Sequence, residues 1–338
     1  EIDRSDIDRV TEHAQSINIS PERKILHVLN QSYKVDNRDG IKNPLGLTGH
    51  RLEAKVHLVT SAINVENDIR TCMNNININV NSFVLEPLAS AYASLDKNER
   101  NLGVVLIDIG GGTTDLAVFK DGIIRHTAVI PFGGNVITDD IKEGCSIIEK
   151  QAELLKIKFG SAWPGENKEN EIVSIPGLRG RDPKEITLKN LSKIIHARTV
   201  EIIEQVYLEI KNYGHEEQKK KLIAGIVLTG GGSQLKHLKQ LVEYITGMDT
   251  RVGYPNEHLA GETDKDVTIP LYATAVGLVL DGLKRFEKEK DESISENKND
   301  DIENKEDENE EESVVRTERT NILESFKDKL TEFLDNAE

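Results

Sequence analysis

The chain has 338 residues, enough for two domains with full cores, and its 37% hydrophobic and 30% charged residues are the composition of a water-soluble protein. No apolar run approaches the ~20 residues of a membrane-spanning helix, and a net charge of −16 argues against nucleic acid as a main partner. Two cysteines, Cys72 and Cys145, show no metal-ligand spacing and suggest no disulfide framework, which fits a reducing, cytoplasmic compartment. The start, Glu1-Ile2-Asp3-Arg4, has no initiating Met and no signal-peptide pattern, and it reads as a cut inside a longer chain.

Ile7, Val10 and Ala14 recur at helical spacing. Residues 24–29 and 53–59 read as strands separated by the turn Asn43-Pro44-Leu45-Gly46, and an amphipathic helix follows over about 63–74. Residues 1 to about 80 thus form a small α/β unit. Near Asn81 a second block begins. Glu86-Pro87-Leu88-Ala89-Ser90-Ala91-Tyr92-Ala93 opens a helix of small residues, and strands are expected over 104–109, 115–119 and, after Lys120-Asp121-Gly122, from Ile123. Long helical patterns run over 137–158. The stretch 161–183 is rich in Gly, Pro and charge and reads as loop or short strands. A helix over 188–213 lines up Leu191, Ile194, Ile195, Ile202, Ile203, Val206 and Ile210. A strand over 225–228 and helices over 234–245 and 271–283 complete the core.

From Glu287 to Val315 the chain is acidic, Asn-rich and nearly free of apolar residues, which predicts disorder. Beyond it Ile322, Leu323, Phe326, Leu330, Phe333 and Leu334 share one helical face. That stripe fits a helix lying on a membrane, a helix packing on a partner, or a residual helical tendency. Acidic residues outnumber basic ones over 318–338, whereas surface anchors usually carry Lys and Arg.

Two glycine turns carry the chemistry. In Asp108-Ile109-Gly110-Gly111-Gly112-Thr113-Thr114-Asp115 the glycines let backbone N–H groups approach a phosphate, the threonines offer further donors, and Asp108 at a strand end is placed to hold a metal ion through water. No Gly-Lys-Ser/Thr follows, so this is not a Walker loop, and the glycines lead into a strand, so it is not a dinucleotide fingerprint. The competing reading is an ordinary hairpin turn, which rarely needs three glycines. The second turn, Thr229-Gly230-Gly231-Gly232-Ser233, joins a strand to a helix that Ser233 is placed to cap. Its glycines suit contact with a purine or ribose. Pro131-Phe132-Gly133-Gly134-Asn135 is a third close-approach turn, leading into a helix with Thr138 and Asp140. Glu153 and Lys156 share one helical face, as a solvent ion pair or as a grip on ribose and base.

The order of these motifs resembles the actin/Hsp70/sugar-kinase superfamily. Glu86-Pro87 and its helix resemble the first connecting helix, the turn from Asp108 the second phosphate motif, the turn from Leu228 the adenosine motif, and Ala273-Thr274-Ala275-Val276-Gly277 the second connecting helix. Within the superfamily the chain resembles the FtsA family of bacterial division proteins. Pro44-Leu45-Gly46-Leu47-Thr48-Gly49-His50-Arg51-Leu52-Glu53 and Glu99-Arg100-Asn101-Leu102-Gly103 are similar to FtsA stretches, as is Ile175-Pro176-Gly177-Leu178-Arg179-Gly180-Arg181. The resemblance implies an α/β, actin-like (ribonuclease H-like) ATPase fold. Subdomain 1C would span 1–80, the remainder of 1A 81–102, 2A 103–160 with 223–286, and 2B 161–222, followed by an acidic linker (287–317) and a terminal amphipathic helix (318–338). The family's first phosphate loop would precede residue 1.

It further implies ATP and Mg²⁺ as ligands. Gly110, Gly111, Gly112, Thr113 and Thr114 would hold phosphates and Asp108 the Mg²⁺, with Glu86 orienting water. Gly133, Gly134, Thr138 and Asp140 would line the cleft. Glu153 and Lys156 would reach ribose and adenine, and Gly230, Gly231, Gly232 and Ser233 would face the base. Implied partners are the FtsZ tail at Arg179, Arg181, Lys184, Lys193 and Arg198, further copies of the chain, downstream division proteins at 1C, and lipid at the terminal stripe on the cytoplasmic face of the inner membrane. The expected role is a scaffold with weak or no ATPase activity. The alternatives are an MreB-type or pilus-assembly ATPase and, from a different class, a sugar-kinase-like phosphotransferase, for which no catalytic base beside a sugar pocket is identifiable.

Overall fold

The computed structural model describes residues 1–166, 171–176, 182–217, 220–256 and 265–287. Glu1–Leu283 form one compact unit, and in the second, Lys284–Glu338, the described residues 284–287 are helical. The acidic linker from 288 on and the apolar stripe of 322–334 lie outside the described residues, as do Arg179 and Arg181.

Helix α1 (Arg4–Gln15) starts at a capping box in which the Asp3 carboxylate accepts from the Asp6 amide and Asp6 returns the bond. Strands β1 (Arg23–Val35), β2 (Arg38–Ile41) and β3 (Leu52–Ala62) form an antiparallel sheet in the order β2-β1-β3. β1 runs beyond its predicted end because Gln31, Tyr33 and Val35 continue the alternation that buries one face. β2 is absent from the sequence reading: Arg38-Asp39-Gly40-Ile41 has no apolar alternation and forms by pairing with β1. Helix α2 (Ile63–Asn75) follows β3 directly.

The second sheet collects β4 (Val104–Ile109), β5 (Thr114–Lys120), β6 (Ile123–Ile130), β9 (Ile226–Thr229) and β10 (Thr250–Val252) in the order β10-β9-β4-β5-β6. β4 is parallel to β9 and antiparallel to β5, and β10 is parallel to β9. Both faces of β4 are covered, so its period-2 pattern disappears into the apolar run Val104–Ile107, which Asp108 interrupts at the carboxyl end. Val104 and Leu106 pack with Ala91 of α3 (Glu86–Ser94) and with Leu95 just after it. Val105, Ile107 and Ile109 pack on the other side with Ile203, Val206 and Ile210 of α7 (Leu188–Tyr213) and Leu238 and Leu241 of α8 (Leu238–Thr246).

A third core joins α5 (Gly134–Cys145), α6 (Glu149–Phe159) and α7 to the hairpin of β7 (Ile172–Ile175) and β8 (Lys184–Thr187) through Ile141, Leu155, Ile175, Ile186 and Leu191. The helical pattern over 137–158 is therefore two helices, separated where Ser146 turns left-handed at φ 48°. α8 starts at Leu238 rather than 234, because Gly231–Gln234 form a 3-10 turn. The short helix α4 (Lys97–Leu102) has no apolar signal and depends on the Asp96–Glu99 capping box.

The last described helix, α9 (273–287), crosses α3 closely enough that a Cβ at Gly277 would overlap the Ala89 carbonyl. No helix among the described residues is long and apolar enough to cross a membrane.

Candidate nucleotide site at two glycine turns

Asp108 of β4 lies opposite Thr229 of β9 in a parallel pair. The Gly110–Gly112 loop and the turn from Gly230 therefore leave the sheet side by side at the carboxyl ends of neighbouring strands, where open α/β sheets place ligands.

Three carboxyl groups gather at the loop. Asp108 is buried and accepts hydrogen bonds from Ser90 Oγ of α3 and, at 3.3 Å, from Thr274 Oγ1 of α9. Asp115 faces Asp108 across the β4–β5 pair and accepts from Thr113 Oγ1 at 2.8 Å. Glu86 opens α3. Burial, then the charges of Asp108 and Asp115, push its carboxyl up to about 7, against a hydrogen bond with Thr274. Burial likewise raises the carboxyls of Asp108 and Asp115. Crowded carboxylates are relieved by a proton or a cation. Their oxygen donors suit Mg²⁺. Among the described residues no three His, Cys, Asp or Glu stand close enough to ligate one ion directly. The arrangement fits Mg²⁺ held through its own waters, which it gives up reluctantly.

The loop itself offers backbone. Gly110 N donates to Thr113 O at 3.0 Å, whereas the amides of Gly111, Gly112 and Thr113 donate to no acceptor among the described residues. A Cβ at Gly112 would meet nothing within 4 Å, so the loop is open on that side. The predicted contribution of the threonine hydroxyls changes here. Thr113 Oγ1 donates to Asp115, and the buried Thr114 Oγ1 donates to Phe132 O at 2.8 Å, so both shape the loop and leave its amides as the donors for an anion.

Helix α5 is fastened to this loop. Gly134 N donates to Gly110 O at 2.9 Å and Asn135 N to Gly111 O at 2.8 Å. A Cβ at Gly133 would stand 2.6 Å from Gly110 O, which explains the glycine. Behind it, Lys156 Nζ donates to Gly134 O at 2.8 Å and Thr138 Oγ1 at 2.7 Å and pairs with Glu153, which also accepts from Thr138. Burial opposes the charge on Glu153, yet the bonds from Lys156 and Thr138 hold its carboxyl below the ordinary range. This network ties α5 to α6. It is more than the exposed ion pair that the sequence leaves open.

On the other strand, Gly230 has φ +79°, and a Cβ there would collide with the Asp108 carboxylate and the Ile109 carbonyl. Gly231 and Gly232 continue the 3-10 turn. Ser233 does not cap a helix as predicted. Its Oγ donates to Gly230 O at 2.7 Å inside this turn, and α8 begins later, after His237, without a side-chain cap.

Asp140 and Arg198, predicted for different surfaces, bind each other: Nε–Oδ2 is 2.6 Å and the second guanidinium nitrogen is 3.0 Å from Oδ1. Glu201 takes the remaining arm. The pair braces α5 against α7. Asp140→Ala and Arg198→Ala should each lower stability by about 1 kcal/mol in urea unfolding, with the double variant losing less than the sum. Strict additivity would mean the brace contributes nothing. Lys184 on β8 and Lys193 on α7 are exposed.

The sequence alone did not single out Ser90 and Thr274, which position Asp108, or Asp115 as a site group. The signal available for the first two was a hydroxyl set among small residues on two crossing helices. A cavity of about 760 Å³, lined by His215, Leu222, Gly225, Met248 and Asp249 among others, opens at the amino end of β9, away from both turns.

The chain is similar to known proteins in sequence and in fold. The family profile described as "Cell division protein FtsA" matches residues 105–277, and that of the "SHS2 domain inserted in FTSA" matches 1–60. The chain is 40% identical over 285 residues to cell division protein FtsA of Pseudomonas aeruginosa, covering 84% of this chain and 67% of that protein. It is 37% identical over 283 residues to the Escherichia coli K12 protein of the same name, covering 82% and 67%. The chain thus spans about two thirds of these relatives. Among solved structures, the PilM–PilN type IV pilus biogenesis complex aligns with a TM-score of 0.58 at 15% identity, covering 83% of this chain and 74% of that one. MreB5 of Spiroplasma citri bound to ADP aligns with a TM-score of 0.53 at 22% identity, covering 70% and 68%. The fold is actin-like.

Proposed function

Because this chain belongs to the FtsA family of cell division proteins, we propose that it binds ATP with Mg²⁺, assembles with further copies of itself, and tethers FtsZ to the cytoplasmic face of the inner membrane at the division site. The observation that carries the nucleotide part is the open Gly110–Gly112 loop, with three unoccupied amides, beside crowded carboxyls. The amides of Gly111, Gly112 and Thr113 receive the phosphates. When bound there, Mg²⁺ would supply positive charge against the phosphates. Asp108 would hold that ion through its waters, with Asp115 beside it, and Glu86 would orient an attacking water. Gly133, Gly134, Thr138 and the Glu153–Lys156 pair line the cleft toward ribose and base, opposite Gly230–Gly232. Scaffolding outweighs turnover.

FtsZ binding is assigned to 2B, where Lys184 and Lys193 are exposed cations for an acidic tail. Arg198 is held by Asp140 and contributes less. Downstream proteins dock on subdomain 1C, and the stripe from Ile322 to Leu334 lies on lipid. The first test is fluorescence anisotropy with a labelled FtsZ C-terminal peptide. Saturable, salt-sensitive binding is expected, weakened roughly 10-fold by Lys193→Glu or Lys184→Glu. Unchanged affinity in both variants would remove this face from the reading. Absence of binding by the folded chain would remove the tether and leave family and fold standing.

A further inference from the structure

Asn135 stands at the mouth of the glycine loop and has no role in the expectations above. Its backbone is fixed, since its amide donates to Gly111 O at 2.8 Å. Its carboxamide lies beside Gly111: a Cβ built there would be 3.2 Å from Oδ1 and 3.6 Å from Nδ2. The side chain is exposed and has no hydrogen-bond partner among the described residues. The Gly134 and Asn135 amides of α5 already donate to Gly110 O and Gly111 O, so these two are not available to an anion. The Asn135 NH₂ group adds a side-chain donor there, beside Gly111, whose amide is free together with those of Gly112 and Thr113.

We propose that Asn135 binds a phosphoryl oxygen of a nucleotide polyphosphate seated on this loop, donating from Nδ2 while the Gly111–Thr113 amides donate from below. The inference rests on the nucleotide reading and adds to it a side-chain donor. The choice of a neutral amide has a physical reason. Glu86, Asp108 and Asp115 already supply negative charge on the other flank of the loop. A carboxylate at 135 would present acceptors only and repel the anion, whereas Asn keeps the shape and donates.

The test is equilibrium binding of fluorescent N-methylanthraniloyl ATP with Mg²⁺ to the full chain and to Asn135→Ala and Asn135→Asp. Loss of a charge-assisted hydrogen bond predicts about 10-fold weaker binding for Ala, and added repulsion about 100-fold for Asp. The side chain is exposed and unpartnered, so thermal unfolding of all three should coincide. Such a shift in affinity without a shift in melting supports the assignment. Equal affinity in the three chains overturns it while leaving the nucleotide reading intact. Failure of the unaltered, folded chain to bind overturns that reading, and this inference with it.

Discussion

Gly277→Val should lower the thermal midpoint of the chain by roughly 5–10 °C, corresponding to about 3 kcal/mol. At Gly277 helix α9 lies against α3 with no space for a side chain, and the atoms that a Cβ would meet are the Ala89 carbonyl and, at 3.1 Å, the Ala89 Cα. Backbone cannot rotate aside as a flexible side chain can, so the helices must separate. Separation would also draw Thr274, one helical turn before Gly277, away from Ser90 and Asp108. Gly282→Ala is the matched control. Nothing lies within 4 Å of a Cβ there, and the change should be neutral or stabilise by up to about 1 kcal/mol through helix propensity. Equal effects of the two changes in calorimetry would show that the crossing is looser than described.

Glu86→Gln is the second large expectation, and it has opposite signs for stability and for binding. The Glu86 carboxyl rises from the ordinary 4.5 to about 7, first through burial and then through Asp108 and Asp115. Between these values the folded chain keeps a proton that the unfolded chain has released. Stability therefore falls as pH rises from about 4.5 to 7, by about 1 kcal/mol once the exposure of Glu86 to solvent is allowed for. Glutamine removes the penalty, so the variant should match the parent near pH 4.5 and exceed it above pH 7. In the presence of magnesium and ATP the ranking should reverse, because the carboxylate that destabilises the empty chain is one the cation favours. Urea unfolding at both pH values, with and without Mg–ATP, reads both effects. A variant that is less stable above pH 7 would show that Glu86 is stabilised by its surroundings.

Much of this framework was legible in the sequence because it is local. The buried strand β4 opens with the apolar run Val104–Ile107, and α7 has its predicted bounds since Thr187 caps one end and Gly214 turns left-handed at the other. The glycine turns were legible as well, for steric reasons that survive in one dimension. What was hidden depends on partners far along the chain. Asp140 meets Arg198 across 58 residues, Ser90 meets Thr274 across 184, and no periodicity announces either. The hydroxyls of Thr113 and Thr114 have partners within the chain, Asp115 and the Phe132 carbonyl, that come into view only once the strand and the turn behind the loop are placed. Ser233 follows the same logic: a good capping residue at a plausible position was captured first by the carbonyl of Gly230.

The brace between α5 and α7 has a thermodynamic corollary. One end of α5 rests on the carbonyls of Gly110 and Gly111, and Asp140 farther along grips Arg198 on the helix that carries Lys193. If phosphate binds the loop and the FtsZ tail the α7 face as proposed, a displacement of the loop would pass from one to the other through this salt-bridged helix pair. Linkage makes any such transmission reciprocal: the factor by which ATP changes peptide affinity equals the factor by which peptide changes ATP affinity. Cutting the brace at Arg198 should bring both factors toward one together, while each ligand still binds on its own.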